Sequence, residues 1–387
     1  MGALKVFVIA GEASGDRLGA ALMAGLKSLR EVTFQGVAGP MMQAEGMTSL
    51  FPMEDLSVMG LAEILPRYRH LKRRIDQTAQ AVLAARPDVL ITIDSPDFCL
   101  RVARRVKAAS AIRTVHYVAP TVWAWRPGRA QKMAQVIDQV LALFPFEPPF
   151  MQRAGMRCDF VGHPVVAEPV ADKSEAQGFR AAHGLDTSPL LLLLPGSRRG
   201  EVGRLMPVFS EVCARLRRDH PDLRVVIPAV AHVAEMIGQH TADWRDKPLI
   251  LDPRGVDATG FAAEKRAAFA AADVALAASG TVSLELAASG TPMVIAYDMS
   301  WLSRQIISRM LLVDTVTLVN LVSETRVVPE FIGANCRPAL IAPAVRDVLA
   351  APEAQRAAMD LTMARLGRGQ AAPGLRAATA VLWGLDG

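Results

Sequence analysis

The residues that could do chemistry lie where apolar runs give way to short turns. In the stretch 277–292, A-A-S-G-T-V-S-L-E-L-A-A-S-G-T-P, a buried-strand pattern enters Ser279, Gly280 and Thr281, and a helical pattern follows with Glu285 one turn in. Such a turn aims free backbone N–H groups and the positive end of a helix dipole at one point, where a phosphate can sit. Glu285 is then placed to accept hydrogen bonds from a ribose. The all-leucine run 190–194 enters P-G-S-R-R-G-E, which puts Arg198 and Arg199 in another strand-to-helix loop. Arginine stays charged at any relevant pH and grips two phosphate oxygens at once, so Arg198 suits a departing diphosphate. The same side chain could instead pair with Glu201. Asp94 ends the apolar run 88–93 and opens D-S-P-D. A carboxylate at the carboxyl end of a strand can take a proton from an attacking hydroxyl, while Asp97 better suits the first turn of a helix opening at Pro96.

Other stretches carry weaker signals. Gly11, Glu12, Ser14, Gly15 and Asp16 form a glycine-bearing loop after the first strand and before a helix over 18–29, near the expected cleft. It lacks the G-x-G-x-x-G fingerprint, which gives little support to a nicotinamide or flavin. The stretch 116–129, H-Y-V-A-P-T-V-W-A-W-R-P-G-R, could line an acceptor site, or Trp123 and Trp125 could pack between sheet and helices. No D-x-D occurs, so the paired-carboxylate metal site of many nucleotide-sugar enzymes is missing, and neither a metal nor a cofactor is expected. In 58–74 an apolar segment with Val58, Met59, Leu61, Ile64 and Leu65 precedes a basic one with Arg67, Arg69, Lys72, Arg73 and Arg74. That pairing suits an interfacial helix on an anionic membrane, or equally a core segment followed by a solvated basic turn.

The elements that must position these residues alternate. Strand patterns at 4–10, 32–37, 88–93, 114–118, 139–144 and 159–161 are separated by helical ones, and a second series follows at 190–194, 223–227, 249–251, 273–278 and 293–297. Alternation of this kind predicts doubly wound parallel sheets with ligands at the carboxyl ends of the strands. The segment 162–169, with one glycine and two prolines, reads as the linker. The expected division is an N-terminal domain over 1–166, a C-terminal domain over 167–337, and a helical segment over 338–387 able to pack back on the N-terminal domain. The fold class is α/β, two Rossmann-like domains facing a cleft.

With 387 residues and 51% of them hydrophobic, the chain can bury the cores of two domains. A formal charge of +5 suits anionic partners, but no dense Lys/Arg run interleaved with aromatics favours nucleic acid. Cys99, Cys158, Cys213 and Cys336 have no metal-ligand or C-x-x-C spacing and read as reduced thiols of a cytosolic protein. The N-terminus reads as a first strand rather than a signal peptide, and no apolar window has spanning length.

Taken together, several motifs resemble lipid-A-disaccharide synthase. They are G-E-A-S-G-D at 11–16, V-A-G-P-M-M-Q-A-E-G at 37–46, V-M-G-L-A-E-I-L at 58–65 and I-D-S-P-D-F at 93–98. H-Y-V-A-P-T-V-W-A-W-R at 116–126, F-P-F-E-P-P-F at 144–150, L-P-G-S-R at 194–198 and A-S-G-T-V-S-L-E at 278–285 complete the set. The resemblance implies an inverting GT-B glycosyltransferase that joins UDP-2,3-diacylglucosamine to 2,3-diacylglucosamine 1-phosphate (lipid X), releasing UDP. It implies Asp94 as general base, Arg198 as UDP-binding arginine and Glu285 as ribose-binding acid. Asn320 matches the family's donor-side asparagine, although Val319 stands where proline is usual. Beyond Gly333 no residue is carried over. The implied location is the cytoplasmic face of the inner membrane, with the oligomeric state open. Another GT-B UDP-sugar enzyme, such as a muramyl-peptide GlcNAc transferase or a UDP-GlcNAc 2-epimerase, remains the alternative, as does a non-catalytic UDP-sugar or lipid-binding module.

Overall fold

A computed structural model describes residues 2–56, 61–185, 187–299 and 312–386, with backbone only at 61–68 and at 386. The chain divides into two compact units, Met1–Ala167 with Leu366–Gly387, and Glu168–Arg365.

The first unit runs β1 (Leu4–Ala10), α1 (Ala13–Leu29), β2 (Val32–Val37), α2 (Pro40–Ala44), α3 (Leu61–Ala85), β3 (Val89–Ile93) and α4 (Pro96–Ala109). It continues through β4 (Arg113–Tyr117), α5 (Gly128–Ala134), β5 (Gln139–Ala142), α6 (Pro148–Arg153) and β6 (Arg157–Phe160). The strands pair in parallel in the order β2-β1-β3-β4-β5-β6. Every residue of β3 is buried, whereas β2 at the edge is part-exposed along its first half. Central strands with helices on both faces need continuous apolar runs, and an edge strand does not. Because β1 is followed by β2 on one side and β3 lies on the other, the winding reverses between β1 and β3. Ligands of such sheets bind at that reversal, beyond the strand carboxyl ends.

The second unit runs α7 (Lys173–Ala182), β7 (Leu190–Leu194), α8 (Arg199–Asp219), β8 (Arg224–Pro228), α9 (Ala231–Thr241), β9 (Leu249–Leu251) and α10 (Ala258–Ala271). Then come β10 (Val274–Ala278), α11 (Val282–Ser289), β11 (Met293–Tyr297), α12 (Leu318–Ser323), β12 (Glu330–Ile332), α13 (Pro338–Ala350) and α14 (Glu353–Arg365). Its parallel order is β12-β11-β10-β7-β8-β9, so the winding reverses between β7 and β10. The five leucines of β7 are all buried, and each contributes about 1.5–3 kcal/mol of burial.

The helical body predicted over 338–387 is divided. α13 and α14 belong to the second unit, where the Gln355 amide donates to the Met293 carbonyl at 3.0 Å and accepts from its N–H at 2.8 Å. The last helix, α15 (Pro373–Asp386), belongs to the first unit and packs on α1. A Cβ on Gly374 would stand 2.5 Å from the Ala21 carbonyl oxygen, and one on Gly25 would stand 2.7 Å from that of Gly374. Only glycine lets two helix backbones come that close. The Gln139 side chain also donates to the Ala380 carbonyl at 2.8 Å.

Candidate active site

In the first unit the loops after β1 and β3 meet at the reversal of winding. Asp94 and Ser95 follow β3 with φ of +52° and +43°, a left-handed pair that non-glycine residues seldom adopt. Strain of this kind persists only where the surroundings impose it, and it collects at functional positions. The Asp94 N–H donates to the Tyr117 carbonyl at 3.0 Å, which ties the turn to β4. Asp94 is half-buried, and its carboxylate accepts no hydrogen bond from the described residues. Asp97 is exposed in the first turn of α4, as its helix-end role requires.

The predicted loop 11–16 is mostly helix. α1 starts at Ala13, so Ser14, Gly15 and Asp16 form its first turn rather than a loop before residue 18. A Cβ on Gly15 would rest 3.5 Å from Ile93, so this turn lies in van der Waals contact with β3. Asp16 is 2% exposed and accepts from the N–H groups of Gly39 at 3.0 Å, Met41 at 2.9 Å and Met42 at 3.0 Å. Its carboxylate therefore fastens the start of α2 and is not open to a ligand. Glu12, at the N-cap of α1, and Gly11 remain at the reversal of winding.

Beyond β4, Val118 and Arg126 hold φ of +82° and +51°, an outlying conformation for a β-branched valine. Trp123 meets Phe146 edge-on at 5.0 Å, and the Trp125 indole donates to Thr121 Oγ1 at 2.9 Å. His116 lies within the core, its Nδ1 2.8 Å from Thr92 Oγ1, and burial pushes its pKa down to about 4. It stays a neutral structural imidazole. Glu147 is 2% exposed, and its Oε2 accepts from the N–H groups of Leu143 and Phe144 at 3.0 Å each. Burial raises its pKa to about 7 although those two N–H groups act in the opposite direction.

In the second unit a cavity of about 430 Å³ lies at the β7/β10 reversal. Ser197 and Arg198 after β7 and Ser279, Gly280 and Thr281 after β10 line it together with Glu285 of α11. In the first turn of α11 the Ser283 N–H donates to the Gly280 carbonyl at 3.2 Å and the Leu284 N–H to the Thr281 carbonyl at 2.9 Å, so the turn before Ser283 is the part that can offer backbone donors to a ligand. The Arg198 side chain is 68% exposed, and its Nη1 donates to Glu201 Oε1 over a long 3.5 Å. Glu201 also accepts from the Tyr297 hydroxyl at 3.4 Å. Burial, with the Glu201 carboxylate beside it, raises the Tyr297 pKa above its ordinary value. Gly196 holds φ +102°, a conformation that L side chains rarely adopt, and a Cβ there would also stand 2.9 Å from the Glu201 Cβ.

Residues that the motifs did not reveal complete the cavity. Lys265 of α10 reaches Glu285 Oε2 at 2.8 Å, with Phe261 and Phe269 on the same helix face. Their i, i+4, i+8 spacing was the available signal, but any buried helix face shows it. Asn320 does not reach for a ligand with its amide. It is 1% exposed, donates to the Val328 carbonyl at 2.9 Å and to Thr315 Oγ1 at 3.3 Å, and accepts from the Val328 N–H at 3.1 Å.

Of the expected membrane residues, Val58 and Met59 lie outside the described residues, as do the side chains of Leu61, Ile64, Leu65 and Arg67 in α3. Arg69, Lys72 and Arg73 are exposed. Arg74 is not a free cation: it donates to Asp55 Oδ2 from Nε at 2.9 Å and stands 4.4 Å over the Phe51 ring. Among the described residues no helix is long and apolar enough to cross a membrane, and no cluster of three or more His, Cys, Asp or Glu side chains could hold a metal ion.

Solved structures share this architecture. UDP-GlcNAc 2-epimerase from Neisseria meningitidis, bound to UDP-GlcNAc, matches with a TM-score of 0.64 at 12% identity, covering 99% of this chain and 100% of that one. An Anabaena protein in complex with UDP and glucose matches with a TM-score of 0.56 at 12% identity, covering 100% of both chains. At such identities the likeness is one of fold. In sequence, the lipid-A-disaccharide synthetase family matches residues 6–377. Lipid-A-disaccharide synthase from Ruegeria pomeroyi is 65% identical over 385 residues, 99% of this chain and 96% of that protein. The enzyme of that name from Rhodospirillum centenum is 47% identical over 386 residues, 98% and 94% of the two chains. On a match of that extent, joined to two doubly wound units, the chain belongs to the lipid-A-disaccharide synthase family of GT-B glycosyltransferases.

Proposed function

We propose that this glycosyltransferase joins UDP-2,3-diacylglucosamine to lipid X by a single displacement, with the first unit taking the acceptor and the second holding the UDP donor. Asp94 removes the proton from the 6-hydroxyl of lipid X as that oxygen attacks the anomeric carbon opposite UDP. The carbon–oxygen bond to UDP breaks as the new one forms, which inverts α to β. Arg198 and the start of α11 take up the charge that gathers on the departing diphosphate, and no metal is needed. Glu285 receives the ribose.

What carries the reading is the coincidence of Arg198, Ser279–Thr281 and Glu285 around one cavity at a reversal of winding. The strained turn at Asp94, at the matching point of the other sheet, supports the assignment of the base. The exposed Arg69, Lys72 and Arg73 on α3 support contact with an anionic membrane surface, where both diacylated substrates would reside.

The test is UDP release measured with EDTA present. It should require lipid X and the diacyl donor together, and it should not occur with UDP-GlcNAc. Release from UDP-GlcNAc alone would favour an epimerase-like chemistry, and a strict metal requirement would remove the arginine-and-helix clamp.

A further inference from the structure

We propose that Lys265 is a positioning residue for the donor nucleotide, holding Glu285 as a charge-compensated acceptor for the two ribose hydroxyls so that a carboxylate can stand beside a diphosphate. The proposal deepens the assignment of the second unit as the UDP-donor site and rests on it.

The geometry that suggests this is local. Lys265 Nζ lies 2.8 Å from Glu285 Oε2, and both side chains are 37% exposed at the cavity wall. The ammonium also stands 5.1 Å over the ring of buried Phe269, one turn along α10. Phe269 limits where the lysine stem can lie and so favours its reach across to α11. Among the described residues only one carboxylate oxygen of Glu285 is engaged. Glu285 Oε1 is left to accept from one hydroxyl of a cis-diol, and Oε2 keeps a lone pair for the other.

Charge explains why a lysine is needed there. Among the described residues the charged side chains lining the cavity are Arg198, Lys265, Glu201 and Glu285, which sum to zero. A diphosphate adds negative charge to that set. Without Lys265 the balance becomes negative before any ligand arrives, and Glu285 repels the ligand whose ribose it should hold. The competing view is that Lys265 and Glu285 form a part-exposed ion pair of little consequence.

Calorimetric titration of UDP and 2′-deoxy-UDP into the full chain and its variants, with thermal melting as a control for folding, tests this. The wild type should prefer UDP over 2′-deoxy-UDP by about tenfold, because Glu285 loses a donor when the 2′-hydroxyl is absent. Lys265→Met should weaken UDP about tenfold and shrink that preference, while in the Glu285→Gln background the same substitution should cost less than about twofold. Lys265→Arg should stay within about threefold of wild type, since it keeps the charge. An equal loss on Lys265→Met in both backgrounds would overturn the proposal, because the lysine would then act on the ligand without Glu285. So would an unchanged UDP preference in Lys265→Met. A wild type that binds no UDP would instead sink the donor-site assignment itself.

Discussion

Ser95 fills the space beside Gly11 so closely that a Cβ on the glycine would stand 2.5 Å from the serine Oγ and 2.9 Å from its Cβ. Gly11 follows β1 and Ser95 follows Asp94 after β3, so this contact couples the two loops at the reversal of winding. Adding a methyl group at position 11 must push Ser95, and Asp94 shares its strained turn. Gly11→Ala should therefore lower kcat about tenfold or more, since a misplacement of about 1 Å is that costly in catalysis. UDP affinity should stay unchanged. Adding Ser95→Gly removes both clashing atoms and should recover part of the rate. Full activity in Gly11→Ala would show that the turn does not position the base.

The two aspartates of D-S-P-D should separate cleanly. Asp94→Asn keeps shape and loses basicity, so turnover should fall about 100-fold or more at nearly unchanged UDP binding. Asp97 is exposed in the first turn of α4, where it favours the helix dipole. Asp97→Asn should cost about 0.3–1 kcal/mol of stability and leave kcat within twofold, roughly. Steady-state kinetics and chemical denaturation of both variants check the contrast.

Arg198 has little to hold it except a long contact with Glu201. Its removal should leave the melting temperature near that of wild type, while Arg198→Ala loses roughly 2 kcal/mol of transition-state stabilisation. Arg198→Lys should rescue only part, having no fork for two phosphate oxygens. Unchanged UDP affinity in Arg198→Ala would shift the role to Arg199 or to the start of α11.

The basic face of α3 divides by partner. Arg69, Lys72 and Arg73 are exposed, whereas Arg74 is tied to Asp55 and Phe51. Changing the first three to glutamine should weaken binding to anionic vesicles by up to about 1 kcal/mol per charge, less so at high salt, without altering melting. Arg74→Gln should do the reverse, lowering stability with little effect on vesicle binding. Co-sedimentation and melting of both variants would reveal a wrong division if Arg74→Gln alone released the protein from vesicles.

Glu147 supplies a pH dependence of known sign. Its folded pKa is raised from 4.5 to about 7 by burial. The stability it contributes is thus complete below pH 4.5 and lost as pH rises through about 7, on the order of 3 kcal/mol in all. Glu147→Gln keeps an oxygen for the Leu143 and Phe144 N–H groups and has no proton to lose. Relative to that variant, wild type should become less stable between pH 5 and pH 8, roughly. His116 and His163, both pushed down to about 4 by burial, act in the opposite direction on acidification and are common to both proteins. A stability difference that does not change with pH would show that Glu147 does not titrate in this range.

Sequence alone determined what is local in the chain. The runs that became β7 and β10 are continuous and apolar, and that of β1 is broken only by Lys5, because helices cover both faces of a central strand; Arg198 follows β7, and Ser279–Thr281 with Glu285 of α11 follow β10, in unbroken sequence. The three-residue, half-buried β12 offered no such run and was missed. Tertiary structure decided which polar side chains are available. Asp16, Asn320 and Arg74 belong to motifs as suggestive as that of Asp94, yet each is satisfied within the protein. For Asp16 and Arg74 the partners lie 23 and 19 residues away, at Gly39 and Asp55. Asn320 closes an eight-residue loop onto Val328. Lys265 shows the converse. It precedes β10 and Glu285 follows it, so only the packing of α10 beside α11 brings the two charges together. The last two segments were settled the same way, α14 by the hold of Gln355 on Met293 and α15 by the close passage of Gly374 along α1. Hydrogen-bond partners and backbone approaches across such separations are set by the folded chain, and no local pattern of residue types encodes them.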